Sequence, residues 1–521
     1  MKKHTITRLL VLLLVLAIAV PYLPVVVSAN DGAEIESFAT QLADYDNRTE
    51  FVINNKEDLK AFMNSGKNFV NKTVKLGADI VWNDGTVDYT NGTFTMKDGS
   101  DPEVWTPFSS NFGDNSGAVI FDGQGHKISG LYIKTEATSY SGFFTRITKA
   151  TIKNVIFDNG YFENSATTAK QIGFVAGVAY GANTFKNVHV IAYQTHASTA
   201  TNPSIGGMCG YLYSAAETKF ESCTVSGVVS ALAATTVGGF VGFAQYFATI
   251  LTMTDCVNYA SVEGKNYVAG LAGRLKGDAT FTRCTSVGTI TAENSLVASL
   301  ATMYNDNTSS IPTVTFTDCI HATKSTKYAA MLYYSSSKSY SNFKVKVDNN
   351  DLVDYTNNTS GLTAMATELT GKFNSFTKGS TGAINVYGVQ QSLDKTSARF
   401  IATLKTNTNQ NENTIKAVGF EIAALGRAGV SKDCPCVYES VKATQASGEI
   451  RDIKVGEGEF ANVNYLATCI IPNVPTNADG VATLVVSAYI ITKNGTRVES
   501  TKGALILTIS GGNVVGIAHT I

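Results

Sequence analysis

Cysteine is the residue type in this chain best suited to metal binding or redox chemistry, and the chain has eight cysteines. Four of them occupy one place in a repeated segment, where earlier copies have Val155 and Val188. A cysteine at a valine position is expected to be a small buried apolar side chain. The sequence has no Cys-x-x-Cys pair of the kind that binds zinc, so we predict no metal site. The predicted buried cysteine ladder consists of Cys223, Cys256, Cys284 and Cys319.

Two further cysteines flank a proline, as Cys434-Pro435-Cys436. They are separated by one residue rather than two, which excludes a thioredoxin-like redox site. Cys469 lies in a predicted strand and is a candidate disulfide partner for either of them. An exported chain permits such a disulfide, and free thiols are the alternative.

Charged side chains precede three of the ladder cysteines, at Asp255, Arg283 and Asp318. On successive copies of the segment they predict an alternating row of charges on an outward face. Such a row is either a set of surface ion pairs or the acid–base set of an enzyme that cleaves polysaccharide. Because no further acid or base converges on this row by spacing, we predict ion pairs and no enzymatic activity. The six histidines are isolated in the sequence and no cofactor motif is present, so no cofactor is predicted.

Aromatic side chains follow several copies of a repeated glycine, and they could bind a ligand by stacking. If these side chains face outward, they form a strip able to contact sugars or proteins. The alternative, that some of them face inward, stays open at this point. The candidate ligand-binding residues are Tyr211, Tyr213, Phe243, Tyr246 and Tyr334.

An internal repeat of about 31 residues determines the elements that position these side chains. Its anchor is a glycine followed by a large apolar residue, as in Gly239-Phe240, and successive anchors are 31, 34, 32, 31, 29 and 31 residues apart. Each copy has three short β-prone runs, which can bury their apolar side chains only against neighbouring copies. Stacked copies predict a right-handed parallel β-helix, since a β-propeller blade needs four strands and ~40 or more residues. The predicted structural glycines are Gly142, Gly173, Gly207, Gly239, Gly242, Gly270 and Gly273.

These copies resemble the GLUG repeat, which is named for a Gly-Leu-x-Gly core and occurs in large secreted and surface proteins of bacteria. The matching cores are residues 207–210, 239–242 and 270–273, and residues 121–131 resemble the segment that precedes such repeats. The resemblance covers about residues 50–350. It implies a surface or adhesin-like role, and it provides no catalytic residues to carry over.

The pattern changes to alternating strands from Tyr387, with antiparallel-type spacing that predicts a β-sandwich. Residues 388–390, 399–402 and 418–421 resemble β-sandwich modules at the ends of secreted clostridial-type proteins.

The charge balance and the first residues limit the partners and the location. The chain has 41 Lys and Arg against 42 Asp and Glu, which argues against a nucleic-acid partner. Lys2, Lys3 and Arg8 precede an apolar run over 9–20, and a small-residue cleavage site follows at 27–29. We predict a cleaved signal peptide, no membrane span after cleavage, and a secreted or cell-surface protein, with a retained anchor as the alternative.

The chain is therefore predicted to be all-β, with a capped parallel β-helix followed by a β-sandwich. Asn55 is expected to N-cap a short helix through Met63 in the cap. The predicted segments are a signal peptide over 1–29, an N-terminal cap over 30–115, the β-helix over 116–350, a linker or last coil over 351–386, and the sandwich over 387–521.

A long column with a polar side surface of low charge suits display and contact. We therefore expect a non-enzymatic adhesin-like protein that binds a glycan or a host or envelope protein. The alternatives are a polysaccharide-degrading lyase or glycoside hydrolase, which β-helices also host, and a structural spacer of a surface layer. The sequence does not determine the oligomeric state.

Overall fold

The computed structural model describes residues 36–200, 202–213, 216–245, 250–293, 297–305, 312–317, 319–321, 332–336, 344–347, 350–352, 384–391, 397–404, 415–424, 431–436, 438–440, 465–472, 476, 479–499 and 505–519. The predicted signal peptide, Asp318 and Tyr246 lie outside the described residues.

Two short helices lie at the start of the described chain: α1, Phe38–Ala43, and α2, Lys56–Met63. The side chain of Asn55 accepts a hydrogen bond from the backbone N–H of Asp58 at 2.9 Å, as predicted for this N-cap. Sequence reasoning missed α1. Phe38 of α1 and Phe62 of α2 are fully buried and pack edge to face, so both helices join the main core. The role of this segment as a cap stays a prediction.

The strands up to residue 135 are β1 Glu50–Ile53, β2 Thr73–Leu76, β3 Ile80–Val81, β4 Gly85–Asp88, β5 Thr93–Met96, β6 Phe108–Phe112, β7 Val119–Asp122, β8 Lys127–Ser129 and β9 Tyr132–Thr135. The next strands are β10 Tyr140–Ser141, β11 Phe144–Thr148, β12 Ala150–Asn164, β13 Gln171–Gly173, β14 Ala176–Tyr180, β15 Asn183–His196, β16 Ser204–Gly206, β17 Cys209–Tyr213, β18 Thr218–Glu221, β19 Thr224–Ser230, β20 Thr236–Gly238, β21 Val241–Ala244, β22 Leu251–Thr254, β23 Val257–Asn258 and β24 Ser261–Gly264. They are followed by β25 Tyr267–Ala269, β26 Ala272–Leu275, β27 Ala279–Thr282, β28 Thr285–Ser286, β29 Ile290–Ala292, β30 Val297–Ala298, β31 Ala301–Asn305, β32 Thr313–Thr317, β33 Ile320–His321, β34 Leu332–Ser336, β35 Lys344–Val347 and β36 Asn350–Leu352.

Most of these strands stack into three sheets that form the sides of a column. Sheet A contains β1–β3, β7–β9, β12, β15, β18, β19, β22–β24, β27–β29, β32, β33, β35 and β36. Sheet B contains β10, β13, β16, β20, β25 and β30, and sheet C contains β6, β11, β14, β17, β21, β26, β31 and β34. The strand pairs are parallel except for β35 with β36, and the hairpin β4–β5 lies apart. The predicted all-β fold with a parallel solenoid is confirmed, with about six turns. Sheet A begins at Glu50, so its strands extend into the segment predicted as a cap.

Equivalent apolar side chains of successive coils lie on top of one another inside the column. Phe185 pairs with Phe220 in register, and their rings stack with centroids 4.6 Å apart. Phe281 and Phe316 repeat this arrangement at 5.1 Å. All four side chains are at most 1% exposed. One coil therefore buries the apolar side chains of the next, as the repeat requires.

The stacking register corrects the alignment of the anchor glycines. Gly173 pairs with Gly206, and Gly206 pairs with Gly238, whereas the sequence aligned Gly173 with Gly207 and Gly239. Two adjacent glycines make the two alignments indistinguishable by residue type. Gly207 still has a packing role, because a Cβ there would lie 2.1 Å from the carbonyl oxygen of Gly239.

A residue with left-handed backbone turns the chain just before the valine or cysteine row of sheet A. These residues are Asn154, Asn187, Ser222, Asp255 and Arg283, with φ between 51° and 55°. The left-handed conformation costs roughly 1–2 kcal/mol for a residue with a Cβ. Side-chain bonds between coils offset this cost, since Asn187 Nδ2 donates to Asn154 Oδ1 at 3.2 Å.

The remaining strands are β37 Ile384–Gln391, β38 Ser397–Leu404, β39 Ile415–Ala424, β40 Ser431–Cys436, β41 Tyr438–Ser440, β42 Tyr465–Pro472, β43 Val481–Thr492, β44 Arg497–Glu499, β45 Leu505–Ser510 and β46 Asn513–His519. They form two antiparallel sheets, one of β37, β38, β41 and β42 and one of β39, β40 and β43–β46. Phe400 and Phe420, one from each sheet, belong to a single buried apolar cluster. The assignment of this part to a β-sandwich module stays a prediction.

The C-terminal sheets pack on the outer face of sheet A. The hydroxyls of Tyr259 and Thr508 lie 2.6 Å apart and are buried. Ser510 Oγ donates to Asn187 Oδ1 at 2.7 Å. Val485 and Ile506 join Tyr259 in a small apolar cluster across this junction.

Candidate functional site

The outer face of sheet C carries a row of aromatic and cationic side chains. Alternate positions of its strands point inward, as Leu212 does at 1% exposure, and place their neighbours outside. Parallel pairing then aligns Val178 with Tyr211 and Tyr211 with Phe243. We define the aromatic strip as Arg146, Tyr180, Tyr211, Tyr213, Phe243 and Arg274.

Rings and guanidinium groups contact one another along the strip. The ring centroids of Tyr180 and Tyr213 are 4.9 Å apart, and those of Tyr211 and Phe243 are 5.6 Å apart. The guanidinium carbon of Arg146 lies 3.8 Å from the centroid of the Tyr180 ring. These distances are those of interacting aromatic pairs, one tilted and one edge to face, and of a cation–π pair. The strip is therefore a continuous layer, held by strands that are paired on both sides.

The strip is not uniformly accessible. Tyr213 is 36% exposed, and Tyr180 and Tyr211 are half-buried. Phe243 is only 5% exposed, because the guanidinium of Arg274 lies over its ring at 4.6 Å. Phe243, a predicted binding residue, therefore presents little of its ring and instead supports Arg274.

The other candidate residues are placed less completely. Tyr334 lies on β34, which pairs with β31 at the end of sheet C, and its backbone is described. Tyr246 lies outside the described residues. Sequence reasoning missed Arg146 and Tyr180. Arg146 stands four residues after the anchor Gly142, just as Tyr211 stands four residues after Gly207. The repeat could therefore have indicated Arg146.

Sheets B and C differ from sheet A in charge. Arg146 and Arg274 are the only charged residues in the described strands of sheets B and C, and both belong to the strip. Burial, together with a hydrogen bond to Tyr140, raises the pKa of Tyr180 to about 12. The phenol of Tyr180 therefore stays protonated at neutral pH.

Sheet A carries charges of both signs that are arranged in ion pairs. Arg283 binds Asp255 with two hydrogen bonds of 2.7 and 2.8 Å, so two members of the predicted charged row pair as expected. Lys153 lies 3.1 Å from Asp122, which also accepts a hydrogen bond from the backbone N–H of Gln124. The pKa of Asp122 is lowered; burial opposes this change, and these hydrogen bonds and Lys153 outweigh it. Each of these carboxylates is thus bound by a neighbouring group.

The predicted cysteine ladder lies inside the column beside sheet A. Cys223, Cys256, Cys284 and Cys319 are at most 1% exposed and are free thiols. The Sγ of Cys256 donates to the carbonyl oxygen of Phe220 at 3.5 Å, a contact that recurs from coil to coil. Burial raises the pKa of Cys256 and of Cys319 well above the usual value. Such thiols are unreactive apolar packing groups.

Two histidines are fully buried in the same coil. His189 Nδ1 lies 2.9 Å from Thr224 Oγ1, and its Nε2 lies 2.7 Å from Asn187 Oδ1. Because an amide oxygen can only accept, the hydrogen bond to Asn187 places a proton on Nε2. The ring of His196 instead packs edge to face on Phe162 at 4.9 Å. Burial lowers the pKa of each histidine to about 3.

A cavity of about 110 Å³ lies where the C-terminal sheets meet sheet A. Asn154, Asn187, His189, Asp479 and Ser510 contribute to its lining. Lys186 forms an ion pair with Asp479 at 2.7 Å at this junction. The polar groups here bind one another and hold the two parts of the chain together.

The described ranges contain neither a membrane-spanning helix nor a metal cluster. No helix in these ranges is long and apolar enough to span a bilayer. No cluster of three or more His, Cys, Asp or Glu residues in those ranges is arranged to hold a metal ion.

Comparison with known proteins assigns no family. No family model matches the chain. No curated protein matches it either. Among solved structures, it is similar to a crystal structure described as a "putative immunoglobulin A1 protease from Bacteroides ovatus", with 15% identity and a TM-score of 0.30. The match covers 60% of this chain and 81% of the other chain. A likeness this distant carries no argument about the activity of this protein.

Proposed function

We propose that this protein is a non-enzymatic, adhesin-like binding protein that is secreted or displayed at the cell surface. Its column presents the aromatic strip to a glycan or to a host or envelope protein. The observation that carries this proposal is the strip itself, in which Tyr180, Tyr213 and Arg146 contact one another on adjacent strands of a paired sheet.

Aromatic side chains on the strip support binding for a physical reason. Tyrosine offers a large apolar ring and a hydroxyl at low cost in conformational entropy. On the strip these rings are held by their neighbours, so little further ordering is needed when a partner binds. A partner that covers Tyr213 removes from water a ring that is already 64% covered by the protein, which limits the apolar area gained at this one residue. We therefore expect binding to depend on several rings together.

The proposed location rests on the first residues and on the repeats. The positive residues, apolar run and small-residue site at 1–29 support export. The resemblance of the repeats to GLUG repeats supports a surface role.

The test is a glycan and protein array probed with the mature full-length chain and with a Tyr180→Ala/Tyr213→Ala variant. Leu232→Ala is the control, because this side chain is 63% exposed and does not belong to the strip. We expect to find a glycan or protein that binds the wild-type and control chains but does not bind the double variant. If the wild-type chain binds nothing on either array, the spacer alternative replaces this proposal. Release of shorter sugars from a bound polysaccharide would establish the enzyme alternative instead.

A further inference from the structure

We infer that the aromatic strip binds an acidic polysaccharide that carries uronic acids, lying along the axis of the column. This inference rests on the proposed function and specifies its ligand. It follows from the charge of the strip, from the chemistry of its side chains and from the spacing of its strands.

The charge on this side of the column has one sign. The described strands of sheets B and C contain two arginines, Arg146 and Arg274, and no Asp or Glu. On sheet A, by contrast, lysines and arginines alternate with acids, as in Lys153 with Asp122. An extended anion would meet attraction on sheet C and mixed charges on sheet A, so electrostatics favour the strip as its site.

The side chains of the strip match the two faces of a uronic acid unit. The apolar face of a pyranose ring packs on an aromatic ring, as Tyr213 and Tyr180 offer. A guanidinium group presents a planar fork of donors that fits a carboxylate. The guanidinium carbon of Arg146 lies over the Tyr180 ring, 3.8 Å from its centroid, so a sugar packed against the tyrosines would lie close to this group.

The strand spacing matches the length of a sugar unit. Strands in a sheet are ~4.8 Å apart, so Arg146 on β11 and Arg274 on β26, four strands on, are separated by about 19 Å. A pyranose unit in an extended chain is about as long as one strand spacing. Four sugar units thus span the two arginines. In a polymer that alternates uronic acid with a neutral sugar, a carboxylate recurs at the level of each arginine. Arg274 is only 7% exposed, so Arg146 makes the direct contact.

The test measures binding of the full-length chain to hyaluronan and to polygalacturonate, each beside the same polymer with its carboxyl groups reduced to alcohols. We expect reduction to weaken binding at least about tenfold, as for loss of a charge-assisted contact. Arg146→Gln should weaken binding by a similar factor, and Arg146→Lys should recover part of it because the charge returns without the fork. Arg48→Gln is the matched control, since Arg48 pairs with Glu36 far from the strip.

The outcomes separate this inference from the proposed function. Equal binding of the reduced and acidic polymers, or unchanged binding by Arg146→Gln, overturns the uronic acid inference and leaves a strip for neutral glycans. Binding to a protein and to neither acidic polymer also overturns it while the proposed function stands. No binding to any glycan or protein overturns both. If Arg146→Gln fails to fold, Tyr213→Ala on the same strip gives the readout, with the same expected loss.

Discussion

The rings of Tyr180 and Tyr213 contact each other across two neighbouring coils, tilted by 54° with centroids 4.9 Å apart, although the two residues are 33 positions apart in the sequence. They align because β14 and β17 pair in parallel and in register. The relationship shows how a repeat that builds the core also builds the outer surface: any side chain at one outward position meets its equivalent from the next coil. Predictions about the core and about the surface therefore follow from the same register.

Stacked phenylalanines in the column are expected to dominate stability. Phe220→Ala removes a fully buried ring that stacks on Phe185 at 4.6 Å, and should lower the free energy of unfolding by about 3 to 5 kcal/mol. Tyr213→Ala, at a partly exposed ring of the same column, should cost less than about 1 kcal/mol. Urea unfolding followed by circular dichroism measures both. Equal losses of unfolding free energy in the two variants would show that the stacked phenylalanines do not form the core of the column.

The cysteines of the ladder are expected not to react with thiol reagents in the folded protein. The reactivity of these cysteines can be measured with a thiol reagent at pH 8. A Cys434→Ser/Cys436→Ser/Cys469→Ser variant serves for this, because it keeps the five described free thiols. All five side chains are at most 1% exposed, which keeps the reagent from the sulfur atoms, and burial also raises the pKa of Cys209 to about 12 and that of Cys256 well above its usual value. The reagent should modify these thiols only after denaturation. Rapid modification of the native protein would place a ladder cysteine at the surface.

Acid should destabilise the column through its buried histidines. His196 has a pKa of about 3 when folded, below the ordinary 6.5, so the unfolded chain binds a proton that the folded chain does not. The stabilising effect of the neutral ring is complete above pH 6.5 and is lost as the pH falls from 6.5 towards 3. His196→Leu removes this loss. From pH 7 to pH 5, the free energy of unfolding of His196→Leu should therefore rise by about 2 kcal/mol relative to that of wild type. Urea midpoints at the two pH values test this, and Leu232→Ala, which removes no titratable group, should behave as wild type. A wild-type pH dependence in His196→Leu would show that this ring is accessible to protons when folded.

The packing of the C-terminal sheets on sheet A is expected to depend on Gly516. A Cβ at Gly516 would lie 2.1 Å from the Tyr259 ring, whereas a Cβ at Gly388 would meet nothing within 4 Å. Gly516→Ala should therefore separate the two surfaces and speed hydrogen exchange in β46, and Gly388→Ala should leave that exchange unchanged. Slow exchange of β46 in Gly516→Ala would mean that the contact with Tyr259 does not hold the sheets together.

Much of the column could be predicted from the sequence, because the repeat encodes it locally. The row that contains Phe185 and Phe220 recurs at a constant place in each copy, so both its burial and its stacking follow from the pattern. The shift from Gly207 to Gly206 in the register could not be predicted, since adjacent glycines are identical in type and only backbone pairing distinguishes them. The left-handed turn at Arg283 escaped prediction as well, because its side chain favours no such conformation by itself.

The candidate site was predictable only in part. The sequence indicated Tyr213 and Tyr211 as outward aromatic residues, but it did not show that Arg274 covers Phe243. That contact depends on which side chains of adjacent coils lean together, which the repeat does not specify. The contact between Tyr259 and Thr508 joins positions 249 residues apart, beyond the reach of any local pattern.

The central claim is that the outer face of sheet C is the binding surface. Hydrogen exchange of the full-length chain, with and without the partner that the arrays identify, tests it directly. We predict slower exchange on β14, β17 and β21 in the complex, and unchanged exchange on the outer strands of sheet A. Protection confined to sheet A or to the C-terminal sheets would contradict the claim and place recognition elsewhere on the molecule.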